Sequence, residues 1–165
     1  MMTVQQGVDN RTDTADRKVK LGRVAYGAAT IAAFDILAGE PILKIEGPEV
    51  SVPDRYTIQI DEDTHIVPDE MAGRYLNHHC SPNARFDFDT WTLVATRFIK
   101  QGEEIAFNYL TTEWDMAAPF DCFCESRACF GRIAGYKNLT DAQKSQCEPW
   151  CSPFLRSKMA AAVRP

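Results

Sequence analysis

The sequence predicts a mainly β chain whose helices are short and lie close to its C-terminus. Three features carry this. From Lys18 to Val52 the apolar runs are short and are cut by Gly27, Ala38-Gly39 and Gly47-Pro48, so no long amphipathic helix fits. Asp54 to Ile60 alternates and is rich in β-formers. Helix-start signals come late. Thr140-Asp141-Ala142-Gln143 has the form of a capping box, and Ser152-Pro153 places a capping serine before a first-turn proline.

Taken in order, Val19 to Tyr26, Thr30 to Ala33 and Pro41 to Ile45 read as short strands. Asp54 to Ile60 is a fourth, closed by a turn over Asp61 to Thr64. Ala84 to Phe88 and Trp91 to Ile99 form a hairpin turning near Asp89-Thr90. Lys100-Gln101-Gly102 is a turn, and Glu104 to Asn108 is a short strand. Thr111 to Phe120 is a polar and aromatic connector. The tail carries helices over 140–147 and 153–162. Met1 to Asp16 is polar, without an apolar signal core, and is expected to be a disordered leader.

The chain has 165 residues, the size of one domain, and can bury about 70% of its unfolded surface. Its 18 basic and 23 acidic residues give a net charge of −5. That argues against direct nucleic-acid binding, which needs a basic face. It suits a Lys/Arg-rich protein partner. No apolar run approaches the roughly 20 residues of a membrane span. An intracellular location, nuclear or cytoplasmic, is therefore expected. Thiols stay reduced there, so clustered cysteines read as metal ligands.

The stretch Arg74-Tyr75-Leu76-Asn77-His78-His79-Cys80-Ser81-Pro82-Asn83 stands apart. It places two Asn, two His and a Cys in seven positions, and Pro82 excludes a regular helix or central strand at that point. Further on come Gly102-Glu103-Glu104-Ile105-Ala106-Phe107-Asn108-Tyr109 and then Cys122-x-Cys124-x4-Cys129. Three thiols within eight residues favour a zinc site, which needs a fourth ligand. Cys147 and Cys151 have no further ligand nearby and read as ordinary thiols.

In that order the three segments resemble the Asn-His-x-Cys-x-Pro-Asn, Gly-Glu-Glu-Leu-x-Phe-Asp-Tyr and post-SET zinc motifs of SET-domain protein lysine methyltransferases. The resemblance implies the SET-domain (β-clip) fold, with small sheets and a C-terminal pseudoknot in which the tyrosine segment threads beneath an earlier loop. It divides the chain into a SET domain over 17–118, a post-SET zinc segment over 119–137 and a helical tail over 138–165. It implies S-adenosyl-L-methionine as cofactor, one structural Zn²⁺, and a protein lysine substrate such as a histone.

Residue by residue, the resemblance makes Tyr109 the catalytic tyrosine and Tyr56 a second active-site tyrosine. A phenol titrates near pH 10, so Tyr109 is expected to orient and polarise rather than act as base. Without the resemblance, Tyr56 reads as an amphipathic core residue with its hydroxyl at the rim. Asn77 and His78 match cofactor-binding positions. Gly27-Ala28-Ala29-Thr30-Ile31-Ala32 stands where the family has its Gly-x-Gly-x-x-Ala cofactor loop, so Gly27, Ala29 and Ile31 are cofactor candidates. Ala29 replaces the second glycine. Phe130 is placed against the adenine. Phe107, Tyr56 and Phe120 line the lysine channel, with Trp114 a further candidate. Cys80, Cys122, Cys124 and Cys129 form the zinc set. Asn83 and Asn108 are expected to bond backbone and hold the crossing segments together. Phe107, two before the tyrosine, implies di- or trimethylation, because a Tyr there would hold a water that blocks further transfer. Two rival readings stay open. One, suggested by Ala29, is a SET-like module that binds cofactor or peptide without turnover. The other is a plain zinc-stabilised β domain.

Overall fold

The computed structural model describes residues 17–162. Its first half holds β1 (Val19–Val24), β2 (Gly27–Ala32), β3 (Pro41–Lys44), β4 (Glu49–Val50), β5 (Ile58–Asp61), β6 (Thr64–Ile66) and the single-turn helix α1 (Met71–Arg74). Then come β7 (Asn77–His78), β8 (Ala84–Asp87), β9 (Thr92–Ala95), β10 (Ala106–Phe107), β11 (Phe120–Asp121) and β12 (Arg132–Ile133). Helices α2 (Asp141–Cys147) and α3 (Pro153–Ala162) close it. The expected leader, Met1 to Asp16, lies outside the described residues.

The strands form small separate sheets, as frequent turns require. β1 pairs with β2, β3-β9-β8 and β4-β6-β5 make three-stranded antiparallel sheets, and β11 pairs with β12. β7 and β10 pair in parallel, with Ala106 opposite Asn77 and Phe107 opposite His78. A parallel pair needs a long crossover, and here the β8–β9 hairpin lies within it. On its other side the β10 segment touches β2, where Ile105 N–H donates to Thr30 O at 2.8 Å. The two polar motifs are thus brought together by main-chain bonds.

Asn83 clasps this crossing. Its Nδ2 donates to Glu104 O at 2.8 Å, and its Oδ1 accepts the Ala106 N–H at 3.0 Å. Asn108 acts more locally. Its Oδ1 accepts the Leu110 N–H at 3.0 Å and caps a 3₁₀ turn over Tyr109–Thr111.

Two apolar clusters support the fold. The first contains Ile36, Ile45, Leu93, Ile99 and Ile105, all essentially inaccessible. Each such side chain contributes about 1.5–3 kcal/mol by leaving water. The second joins Leu110, Ile133, Tyr136, Cys147 and Leu155, and so welds the cysteine segment to the tail. Gly135 makes this junction possible. Its φ is 111°, and a Cβ there would lie 2.5 Å from the Trp114 carbonyl oxygen. The segment at 113–116 therefore lies directly on 134–137, with Tyr136 N–H bonded to Glu113 O at 2.8 Å.

The tail forms as its local signals require. Gln143 N–H reaches Thr140 Oγ1 and Thr140 N–H reaches Gln143 Oε1, completing the capping box. Pro153 opens α3, and Ser152 Oγ accepts the Leu155 N–H. Elsewhere the expectations needed correction. The strand foreseen from Asp54 begins only at Ile58. Asp54 Oδ1 accepts the Tyr56 N–H at 2.7 Å, and the Thr57 hydroxyl bonds Asp54 O. This local turn overrides the β propensity of the same residues. The strand foreseen to Ile99 stops at Ala95. α1, β7 and the β11–β12 pair are too short to show a period in sequence.

Candidate active site

A cavity of about 630 Å³ opens where the start of β2, the turn before β5, the end of α1, β7 and β10 meet the connector at 116–120. Tyr109 sits on its wall. The Tyr109 hydroxyl donates to Leu76 O at 2.5 Å, and its backbone N–H donates to His78 Nδ1 at 3.1 Å. The Tyr109 ring packs at 5.0 Å from Phe107, 5.3 Å from His78 and 6.1 Å from Phe120. Burial first, and then the nearby Glu113 carboxylate, hold the Tyr109 phenol well above its ordinary range. It stays protonated, as a donor with lone pairs to spare.

His78 is committed on both sides of its ring. Because Nδ1 accepts from Tyr109, the ring proton lies on Nε2, which stands 3.2 Å from Cys80 Sγ. Burial, and secondarily His79, push His78 down to about 3, so the ring is neutral. The imidazole therefore bridges the tyrosine to the cysteine cluster. Asn77 Nδ2 is likewise engaged, with Ala28 O at 3.2 Å and Glu104 Oε1 at 2.7 Å. What His78 offers a ligand is its ring face and main chain.

Tyr56 reaches the same cavity, packed edge-on against Tyr75 at 5.4 Å. Gly27, Phe107 and Phe120 also line it. Four other candidates lie elsewhere. Ala29 is wholly buried within β2 and Ile31 packs on Gly22, so neither faces the cavity. Ala29 is not among the non-glycine residues of positive φ, which are Trp91 and Glu125. The alanine therefore costs no backbone strain. Phe130 lies on a second cavity, of about 610 Å³, near Trp150. Trp114 stacks on Tyr136 in the second cluster.

The sulfurs of Cys80, Cys122, Cys124 and Cys129 lie within 4.8 Å of one another. Cys80 Sγ and Cys122 Sγ stand 3.8 Å apart. Two thiolates about 2.3 Å from one tetrahedral ion would be about 3.8 Å apart, so this donor set fits Zn²⁺. Phe130 N–H points at Cys80 Sγ from 3.4 Å, and with His78 it supplies bonds to a thiolate there. Cys147 and Cys151 are buried in the same apolar cluster but are not part of the four-sulfur group.

Sequence reasoning missed Glu104, Tyr26 and Glu113. Glu104 accepts from both Asn77 and the Tyr26 hydroxyl, and so fixes the asparagine. Glu113 stands on the cavity wall, four residues past the tyrosine. It falls in a connector where no spacing marked it.

A strand pair that crosses two polar motifs, beside a tyrosine-walled cavity and a four-thiol cluster, defines a class of protein. The chain belongs to the SET-domain family, whose model matches residues 27–110, just over half of it. It is 39% identical over 88 residues to "Methyltransferase flvH" of Aspergillus flavus, covering 52% of this chain and 48% of that protein. It is 36% identical over 80 residues to "Histone-lysine N-methyltransferase, H3 lysine-36 specific" of Chaetomium globosum, covering 44% of this chain and 9% of that one. The chain thus spans about half the length of the first relative and a small part of the second. In three dimensions it resembles KRYPTONITE in complex with mCHG DNA and SAH, with a TM-score of 0.57 at 22% identity, over 69% of this chain and 28% of that one. The methyltransferase domain of human SETMAR aligns with a TM-score of 0.52 at 17% identity, over 68% of this chain and 56% of that one. Together these establish the fold as that of a SET domain.

Proposed function

We propose that the chain is an S-adenosylmethionine-dependent protein lysine N-methyltransferase acting on a histone or another protein. The observation that carries this is the placement of Tyr109, its hydroxyl fixed on Leu76 O, in one cavity with Tyr56, Phe107, Asn77 and His78. Two relatives named as methyltransferases support the reading. So do a structural neighbour titled as a complex with SAH, and another with an H3(1–15) peptide and SAH.

Gly27 and the main chain and exposed faces of Asn77 and His78 would hold the cofactor, in a cavity of a size suited to such a ligand. When bound, it supplies an electrophilic sulfonium methyl. The chain's own residues do the rest. Tyr56, Phe107 and Phe120 give apolar walls that strip water from an entering lysine and so favour its neutral amine. The Tyr109 hydroxyl, held by Leu76 O, keeps its lone pairs free to orient the amine. The four cysteines would hold one structural Zn²⁺ and tie the cysteine segment to β7 through Cys80. Phe107 offers no hydroxyl to anchor a blocking water, which favours addition of more than one methyl.

The test incubates the chain with methyl-labelled S-adenosylmethionine and core histones, then with whole-cell extract. Wild type labels a protein band. Tyr109→Phe should lose most of the label while binding S-adenosylhomocysteine as tightly as wild type. Binding without transfer to either protein pool would instead establish a module without turnover.

A further inference from the structure

The cavity contains an acidic group that the tyrosine chemistry does not use. Glu113 is half-buried on its wall. One carboxylate oxygen is committed: Oε1 accepts the Gln59 N–H at 2.9 Å and the Thr112 hydroxyl at 3.1 Å. The main chain is pinned as well. Glu113 N–H donates to Tyr109 O at 2.9 Å, and Glu113 O accepts the Tyr136 N–H at 2.8 Å. Among the described residues, Oε2 has no hydrogen-bond partner and the carboxylate is in no ion pair. A rigidly mounted acid with one free oxygen, in an aromatic cavity, is a receptor for a cation.

We propose that Glu113 receives the substrate ammonium and takes its proton. This rests on lysine methyl transfer as the reaction. A lysine entering the cavity carries a positive charge, and its amine cannot attack until one N–H bond breaks. The Glu113 carboxylate first pairs with the ammonium through Oε2. One proton then passes from nitrogen to Oε2, leaving the N–H electron pair on nitrogen. A cation and an anion become a neutral amine and a neutral carboxylic acid. Desolvation disfavours both charged forms, so it narrows the gap in acidity between the ammonium and the carboxylic acid and eases the transfer. On product departure the acid returns its proton to solvent through the open cavity.

The surroundings agree with this assignment. Burial, opposed by the bonds from Gln59 and Thr112, pushes the Glu113 carboxyl up to about 7, where it both binds and releases a proton at neutral pH. Tyr109 feels the Glu113 charge, so the phenol and the carboxylate share one local field. The other carboxylate lining the cavity is Asp54, which is exposed and accepts the Tyr56 N–H. Of the cavity's cations, Arg74 is tied to Pro68 O and Arg55 lies over the Tyr56 ring. His78 is neutral.

The test compares wild type with Glu113→Gln, which keeps an acceptor for Gln59 and Thr112 but loses the charge. n-Butylammonium, with 1-pentanol as neutral control, is titrated into the full chain by calorimetry, with and without S-adenosylhomocysteine. Wild type should prefer the ammonium at least tenfold, and Glu113→Gln should lose that preference with its thermal midpoint kept. An equal preference in both proteins overturns the proposal. In the second arm, methyl transfer to core histones is followed against pH. The variant should lose at least tenfold near pH 7.5 and recover toward pH 10, where lysine sheds its own proton. Parallel profiles would remove the proton-accepting role. Wild type that binds no S-adenosylhomocysteine would refute the methyltransferase reading, and the butylammonium titration would still judge the carboxylate.

Discussion

Asn83 offers the most direct probe of how the site is assembled. Its side chain is almost wholly buried, with 5% of its surface exposed. It satisfies two main-chain groups of the tyrosine segment, the Glu104 carbonyl and the Ala106 N–H. Asn83→Ala leaves both without partners. A buried group deprived of its bond costs about 1–3 kcal/mol, so the pair costs about 2–6 and centrally about 4 kcal/mol. Domains hold only about 5–15 kcal/mol in all. For a chain of this length, about 4 kcal/mol lowers the thermal midpoint by about 8–16 °C. Urea unfolding at constant m-value measures the same quantity independently. Asn83→Asp should be intermediate in local geometry, because it keeps the acceptor for Ala106 but cannot donate to Glu104 O. It should fall at least as far in stability, because it sets a charge against that carbonyl and the Glu103 carboxylate 3.3 Å from Nδ2. A fall of less than about 1 kcal/mol for Asn83→Ala would mean that the crossing is held by other contacts and not by Asn83.

Elemental analysis of chain purified without chelator should find one zinc. Chelation should raise hydrogen exchange after Pro119 more than in β3, β8 and β9, since the last three thiols hold that segment down; exchange that rises equally everywhere would count against this. Phe107→Tyr should shift product toward monomethyl lysine with the first transfer preserved, read by mass spectrometry of a methylated protein; wild type that stops at one methyl after long incubation would refute the switch. Glu103 gives an acid limit. Burial alone would raise its carboxyl, but Arg97, the Lys100 amide and Asn83 together hold it below the ordinary range. Its folded value is the lower one, so its stabilisation is complete above the unfolded value of about 4.3 and is lost as pH falls through the folded value. Stability measured from about pH 6 to about pH 3 should fall more steeply in wild type than in Glu103→Gln.

The sequence by itself determined whatever depends on neighbours along the chain. The capping box at Thr140, the proline start at Pro153 and the hairpin at Asp89-Thr90 are local bonding patterns, and each formed where it was expected. The two polar motifs and the three clustered cysteines were legible because so many polar residues and thiols in so few positions have no use in a core; Cys80 joined them only through the family resemblance. Tertiary structure decided what depends on contacts between distant segments. It left Ala29 and Ile31 facing the core, whereas Tyr56 was taken out of a strand by a local turn on the Asp54 side chain. It set Phe130 on the second cavity, against Cys80. It also brought Glu104 under Asn77 and mounted Glu113 on the Gln59 amide, 54 residues away in the chain. A lone glutamate in a polar connector carries no periodicity and no motif. Its chemistry arises only when Gln59 and Thr112 take up one carboxylate oxygen, Tyr109 and Tyr136 hold its main chain, and the other oxygen is left free.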